Sequence, residues 1–475
     1  MLQEPGLKTT DTAEMSLLRP PSSRALAFVV VLVAVINLPT LGLLRAGLSL
    51  IALALLMTGL RELKALLIVL FALMPVRASA LSLGAIGGFE LTFNRVCVMV
   101  ALACYLWVRS EQRVKQDKPE PILRVIAVLV AIDVLTVFLG DGAFAASAKR
   151  VISDVAEVFL FAVLCYRGLA EADFPQVVQG FGVGSLILCL AVIVERATGL
   201  NVLFRFPATT ELYAQLQDMT AGLERADVLR VRGSFQNPVY LSGFLPLVAF
   251  AATYLLVIAR RRALGGALLL ALGMVAIFSL SRTAMYGLAV FGVPVLLWWL
   301  SRAPARRVLS SALLVLAAGG ALYILAPDDF GRAVELARNP TAEEFGGADT
   351  QHRVDLITAG IPLVLELNPF GVGFDESAIE TTRLLSPDVA NFYVGYGLVN
   401  GIVFVACFCV LLGYMMYRVL ARHRDIDWLL GALILSIAAT YLSYAEYWIT
   451  FPALLAFVLV SRERAGAIRH DPRAA

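Results

Sequence analysis

The sequence predicts an all-α polytopic membrane protein, with about 12–14 transmembrane helices and two long loops on one face. Three observations carry that expectation. Apolar residues make up 59% of the 475 and charged residues only 16%, a balance rare in soluble domains. The apolar residues gather in runs of roughly 17–25, the length a helix needs to cross a hydrocarbon core. The basic residues collect between alternate runs, as the positive-inside rule requires of a multi-pass protein.

Taken in order, the runs place spans near 25–43, 46–60, 65–82, 92–108, 123–140, 151–169, 177–194, 239–259, 264–280, 284–300, 308–326, 391–417, 427–444 and 446–460. The first follows Arg19 and Arg24, and Asn37-Leu38-Pro39 offers no small-residue cleavage site. The reading is therefore a retained first helix and not a signal peptide. Cys97, Cys104, Cys165, Cys189, Cys407 and Cys409 all fall inside apolar runs, where a thiol acts as a small hydrophobe, so no disulfide or metal framework is expected. Neither an internal repeat nor a low-complexity tract interrupts the pattern.

With residues 1–24 cytoplasmic, the inner connections carry Arg61/Lys64, Arg109/Arg113/Lys115/Lys118, Arg167, Arg260/Arg261/Arg262, Arg302/Arg306/Arg307, Arg418/Arg422/Arg424 and Arg462/Arg464/Arg469/Arg473, twenty basic residues in all. The longest outer loop has four arginines, Arg332, Arg338, Arg353 and Arg383, against twelve Asp and Glu residues. The chain thus divides into a tail at 1–24, a bundle at 25–194, an outer loop at 195–238, a helical core at 239–326, a large outer loop at 327–390, spans at 391–460 and a cytoplasmic tail at 461–475. Loops this long are usually functional or disordered. The apolar stretch Leu356–Leu365 is too short to span and reads as a helix in or near the interface.

The chemistry-bearing residues sit in these breaks. Arg230-Val-Arg232-Gly-Ser-Phe-Gln-Asn237-Pro238 closes the first loop directly before a span. Its turn formers hold both arginines near headgroup height, where they either bind a phosphate or merely neutralise lipid. Ser281-Arg282-Thr283 stands at a tight outer turn between two spans, as a substrate contact or a helix-end anchor. His352-Arg353-Val-Asp355 and Asn368-Pro-Phe-Gly371-Val-Gly373-Phe lie in the second loop; the glycines either open backbone N–H groups to an anion or only make a turn. Asp375, Glu376, Glu380 and Asp388 furnish a base or a solvated face. Asn391 reads as a helix cap or a substrate contact, and Tyr393 as a sugar platform or part of an interfacial belt. Arg95, Asp133, Asp154 and Glu157 fall within spans, so each needs a partner or a wet cavity.

Outside the cytoplasm there is neither ATP nor a nucleotide sugar, so a cationic site there suits phosphates carried on lipids. Guanidinium is the matching group, a permanently charged fork of donors. Taken together, Arg230 to Pro238, Ser281-Arg282, Arg353 with Asn368 to Gly373, and Asn391 through Gly401 resemble the O-antigen ligase and O-antigen polymerase family of bacterial membrane glycosyltransferases, best from 228 to 405. The resemblance implies transfer of a glycan from an undecaprenyl-diphosphate-linked oligosaccharide to an acceptor glycan or lipid A core, at the periplasmic side of the inner membrane, with no metal or other cofactor. It implies Arg230 and Arg353 as the loop arginines of the reaction, with Arg232, Arg282, Asn237, Asn391 and Tyr393 as substrate contacts. Membrane lipids, a flippase and a chain-length regulator would be partners, and nucleic acid would not.

One position departs from the family pattern. The family commonly has a histidine just before the asparagine that opens the late span, and this chain has Ala390 there. His352 is then the outer imidazole that stands as base, followed by Asp388 and Asp375. Two other readings fit the same spans: a lipid-linked oligosaccharide transporter or flippase, and a non-catalytic subunit of polysaccharide assembly.

Overall fold

The computed structural model describes residues 54–461 apart from 57, 59–61, 77–81, 87–88, 112–120, 141–143, 206–223, 226–227, 236, 303, 305–318, 321–322, 325, 340–346, 374–390 and 443–446; at 82–94, 108–111, 146, 204–205, 224–229, 347–353 and 447–449 it describes the backbone alone. The protein is an all-α polytopic membrane protein. Fourteen helices of eight residues or more are described: α1 Leu63–Leu73, α2 Phe93–Glu111, α3 Pro121–Leu139, α4 Phe144–Asp154, α5 Phe161–Gly168, α6 Phe174–Thr198, α7 Pro238–Thr253, α8 Arg262–Phe278, α9 Arg282–Leu300, α10 Pro327–Arg338, α11 Gly347–Glu366, α12 Phe392–Leu420, α13 Asp425–Thr440 and α14 Tyr447–Val460. Two small antiparallel hairpins, Ser82–Ile86 with Phe89–Thr92 and Glu224–Arg225 with Val228–Leu229, accompany them.

Five helical stretches among the described residues are long and apolar enough to cross a membrane: Pro121–Leu139, Glu171–Thr198, Pro238–Ile258, Arg282–Leu300 and Phe392–Leu420. The expected spans at 25–43, 46–60 and 308–326 lie wholly or largely outside the described residues. The expected span at 65–82 is shorter than its apolar run. Helix α1 stops at Leu73, because Pro75 cannot continue the hydrogen-bond ladder, and residues 82–86 form a strand instead. Helix α6 errs the other way. It runs past the expected boundary at 194 to Thr198, ending at Gly199 with φ of +69°, so Glu195 and Arg196 are helical and not part of a loop.

Close approach of backbones sets the packing. Gly180 and Gly184, one turn apart on α6, lie against the Ile68 and Ala72 backbone of α1, the small-residue spacing that lets membrane helices touch. Helices α9 and α13 form another tight pair: the Ser436 hydroxyl donates to the Gly287 carbonyl at 2.6 Å, and Gly287 also faces Pro246 of α7 and Thr440. An aromatic cluster of Phe71, Phe174, Phe181, Phe250 and Phe457 fills the centre between α1, α6, α7 and α14.

These contacts put the C-termini of α6, α8 and α13 and the N-termini of α7, α9 and α12 at one end of the bundle. Arg230 reaches the Ser279 carbonyl after α8, while the Phe392 N–H and the Asn391 amide bond the Tyr441 and Leu442 carbonyls after α13. Both long outer segments of the sequence open from this loop end.

Candidate functional site

The turn between α8 and α9 is the floor of the site. Leu280 holds a left-handed φ of +42°, which costs a bulky residue on the order of 1–2 kcal/mol. Packing offsets the strain, since Leu280 is fully buried in a small cluster with Ala333 of α10, Ile277 and Met285. The conformation directs the Ser279 carbonyl at Arg230, whose Nε donates to it at 3.1 Å, and starts α9 at Arg282. Arg230 and Arg232 are buried within the protein, 7% and 5% exposed.

Glu195 anchors the Arg230 segment. Its carboxylate accepts the Gly233 N–H at 2.8 Å, the Arg232 N–H at 3.3 Å and the Asn201 amide at 3.0 Å. Asn201 also donates to the Gly233 carbonyl at 2.8 Å. Gly233 takes φ of +60°, and a Cβ there would press on Leu188 and Val192 of α6, so only glycine lets the loop lie this close. The Ser234 hydroxyl ties the loop to the Pro75 carbonyl at 2.7 Å. Next to Glu195, Arg196 forms a two-pronged pair with Asp329 of α10, at 2.5 and 3.0 Å, which fixes α10 over the α8–α9 turn.

Helix α11 brings the second arginine. Gly360 lies against Val394 and Val364 against Gly397, so α11 runs parallel to the start of α12. Arg353 and His352, seven and eight residues before Gly360, therefore lie on the loop side of the Gly360–Val394 contact by about 10 Å of helix rise, and beyond Asn391 by about 6 Å. Their side chains are outside what the structure describes. The foot of α11 is locked to α12, which breaks at Gly401, φ +81°. Val372 and Gly373 donate to the Leu398 and Val399 carbonyls at 2.8 and 2.9 Å, and Val403 donates to the Pro369 carbonyl at 3.4 Å. Gly371 donates to Asn368 O and Phe370 to Asn368 Oδ1. The N–H groups of residues 370–373 thus bond the chain itself, which corrects the anion-cradle reading of the glycine run in favour of the turn.

The remaining sequence candidates have structural work. Asn237 is exposed and caps α7 by accepting the Val239 N–H at 2.9 Å. Asn391, 3% exposed, caps α12 through the Val394 N–H at 3.1 Å. The Tyr393 hydroxyl donates to the Ala438 carbonyl at 3.0 Å. Asp375, Glu376, Glu380, Asp388 and Ala390 fall outside the described residues.

The charged residues within spans pair internally. Arg95 bonds Glu157 at 2.6 Å and also Ser153; Arg150 lies 3.2 Å from Asp154 and donates to the Tyr396 hydroxyl at 2.7 Å; Asn400 donates to Asp133. Glu157 sits in a π-helical turn, Val155–Leu160, where the extra residue re-aims a side chain. These pairs join α2, α3, α4 and α12 on the loop side of the break at Gly401. Sequence reasoning found Arg95, Asp133, Asp154 and Glu157 but missed Arg150, Asn400, Glu195 and Asn201. The signal for Glu195 and Asn201 was a carboxylate and an amide six residues apart at the mouth of a loop, too ordinary to single out.

Fold and site together define a multi-pass membrane protein whose loop end carries arginines from a loop and from two helices. A family model described as O-antigen ligase matches residues 266–409, so this stretch of the chain is similar to that family. The matched stretch contains Arg282, Arg353, the Asn368–Gly373 turn and Asn391; Arg230 and Arg232 lie outside it and join it through the Ser279 contact. No curated protein and no solved structure matches the chain.

Proposed function

We propose that the protein is an inner-membrane glycosyltransferase that moves a glycan from an undecaprenyl diphosphate carrier to an acceptor glycan or lipid A core at the periplasmic face. The observation that carries the reading is the Arg230–Ser279 bond, which sets the arginine segment of the first loop beside Arg282 at the turn opening the ligase-matched helices, with the Arg353 backbone at the same end. In the reaction the acceptor hydroxyl oxygen forms a bond to the anomeric carbon while the bond from that carbon to the diphosphate oxygen breaks, with inversion. Charge collects on the departing diphosphate, and guanidiniums fixed around it stabilise that charge before it develops. The acceptor proton passes to His352 as base, or to the diphosphate itself.

The test is purified protein in lipid nanodiscs, supplied with lipid-linked donor and acceptor. Elongated or ligated glycan is expected from the wild type, and Arg353→Ala is expected to lower product at least about 100-fold with membrane insertion intact. Normal product from Arg353→Ala would remove that residue from the reaction. One observation favours a second reading: α12 is broken at Gly401, and discontinuous helices mark many transporters. Movement of lipid-linked oligosaccharide across vesicles that lack acceptor, with no transfer, would select the flippase.

A further inference from the structure

Residues 230–233 belong to no helix or strand, so their position is set from outside. Two groups on either side of Gly199 grip one residue, Gly233: Glu195 accepts its N–H and Asn201 donates to its carbonyl. Glu195 is 6% exposed and Asn201 7%. Burying a carboxylate so deeply is unfavourable unless its lone pairs are filled, and here they are filled by the very backbone that carries the arginines. Helix α6 does not need the carboxylate to end, since Gly199 closes it through its own N–H to the Glu195 carbonyl at 2.8 Å.

We infer that Glu195 is a positioning residue for the transfer reaction, acting through Arg230 and Arg232 to aim both guanidiniums at a diphosphate. This rests on the donor reading above. Arg230 and Arg232 stand two residues apart in one short segment, and the grip on the 232–233 peptide N–H fixes the second of them and the start of the turn. A shift of this peptide by an ångström would carry both arginines with it, and misplacements of that size reduce rates by about 100-fold. Glutamine fits the same space but presents an amide where the Gly233 and Arg232 N–H groups need acceptors.

The experiment is a double-mutant cycle on the full chain in nanodiscs, with Glu195→Gln, Arg230→Lys and both together. The probes are undecaprenyl diphosphate and undecaprenyl monophosphate, the readout binding affinity. Glu195→Gln is expected to weaken diphosphate binding by about 10-fold or more and monophosphate binding by less than about 3-fold, and the double variant to bind no worse than Arg230→Lys, because residues acting through one another are not additive. Independent, additive losses, equal losses on both probes, or unchanged diphosphate binding would each overturn the inference. If Glu195→Gln fails to fold, Asn201→Ala releases the same residue, Gly233, with the carboxylate retained, and is expected to lose diphosphate affinity by about 3-fold, again non-additively. Unaltered binding in Asn201→Ala would leave Glu195 an anchor of the fold and nothing more. Wild-type protein that binds monophosphate and diphosphate alike overturns the donor reading and this inference together, whereas a selective wild type with an equally selective Glu195→Gln overturns the inference alone.

Discussion

The two arginine-bearing segments are held in opposite ways. The Arg230 loop is held by side chains: Glu195 and Asn201 reach its backbone, and its own Ser234 reaches the Pro75 carbonyl. The foot of the Arg353 helix is held mainly by backbone, through glycines that let the 369–373 turn dock into the break of α12. Side-chain grips can be weakened in small chemical steps, whereas a glycine contact tolerates no added atom. The loop arginines are thus open to adjustment by substitution, and the helix arginine is fixed by shape.

The comparison is sharpened most by Gly401→Ala. A Cβ there would collide with the Pro369 carbonyl, and alanine resists a φ of +81°, so the variant should lose roughly 3 kcal/mol of stability and most of its transfer activity. Thermal unfolding in detergent measures the first, and an unchanged melting temperature would break the contrast. Next is Asp329→Ala, which removes the two-pronged bond to Arg196, a pair only 24% and 11% exposed. It should cost about 2 kcal/mol and loosen α10 over the Leu280 turn, read as faster hydrogen exchange at 327–338. The smallest effect belongs to Asn391→Ala, which deletes a cap at about 1 kcal/mol; a loss of activity far exceeding that loss of stability would return Asn391 to the substrate contacts.

Much of the loop end was legible because charge and hydropathy are properties of the chain. The turn at Ser281-Arg282, the Asn237 and Asn391 caps and the mutual need of Arg95, Asp133, Asp154 and Glu157 for partners all follow from local rules. Glu195 was not legible. Its apolar run ends at 194, so the sequence assigns it to a loop, and its partners are backbone groups 37 and 38 residues away. The glycine run left two readings open for a related reason, since nothing in Gly371-Val-Gly373 says that its N–H groups are already spent on the chain itself.

The sequence by itself determined the class, an all-α multi-pass membrane protein, because the exclusion of charge from hydrocarbon acts on each segment where it stands. Only the tertiary structure decided which outer segments meet: the 230–233 backbone on Glu195, Arg230 on the α8–α9 turn, and the foot of α11 in the broken α12. Those meetings depend on hydrogen bonds between groups remote in the chain and on the absence of single carbon atoms at Gly233, Gly371 and Gly401. No periodicity along the sequence encodes either.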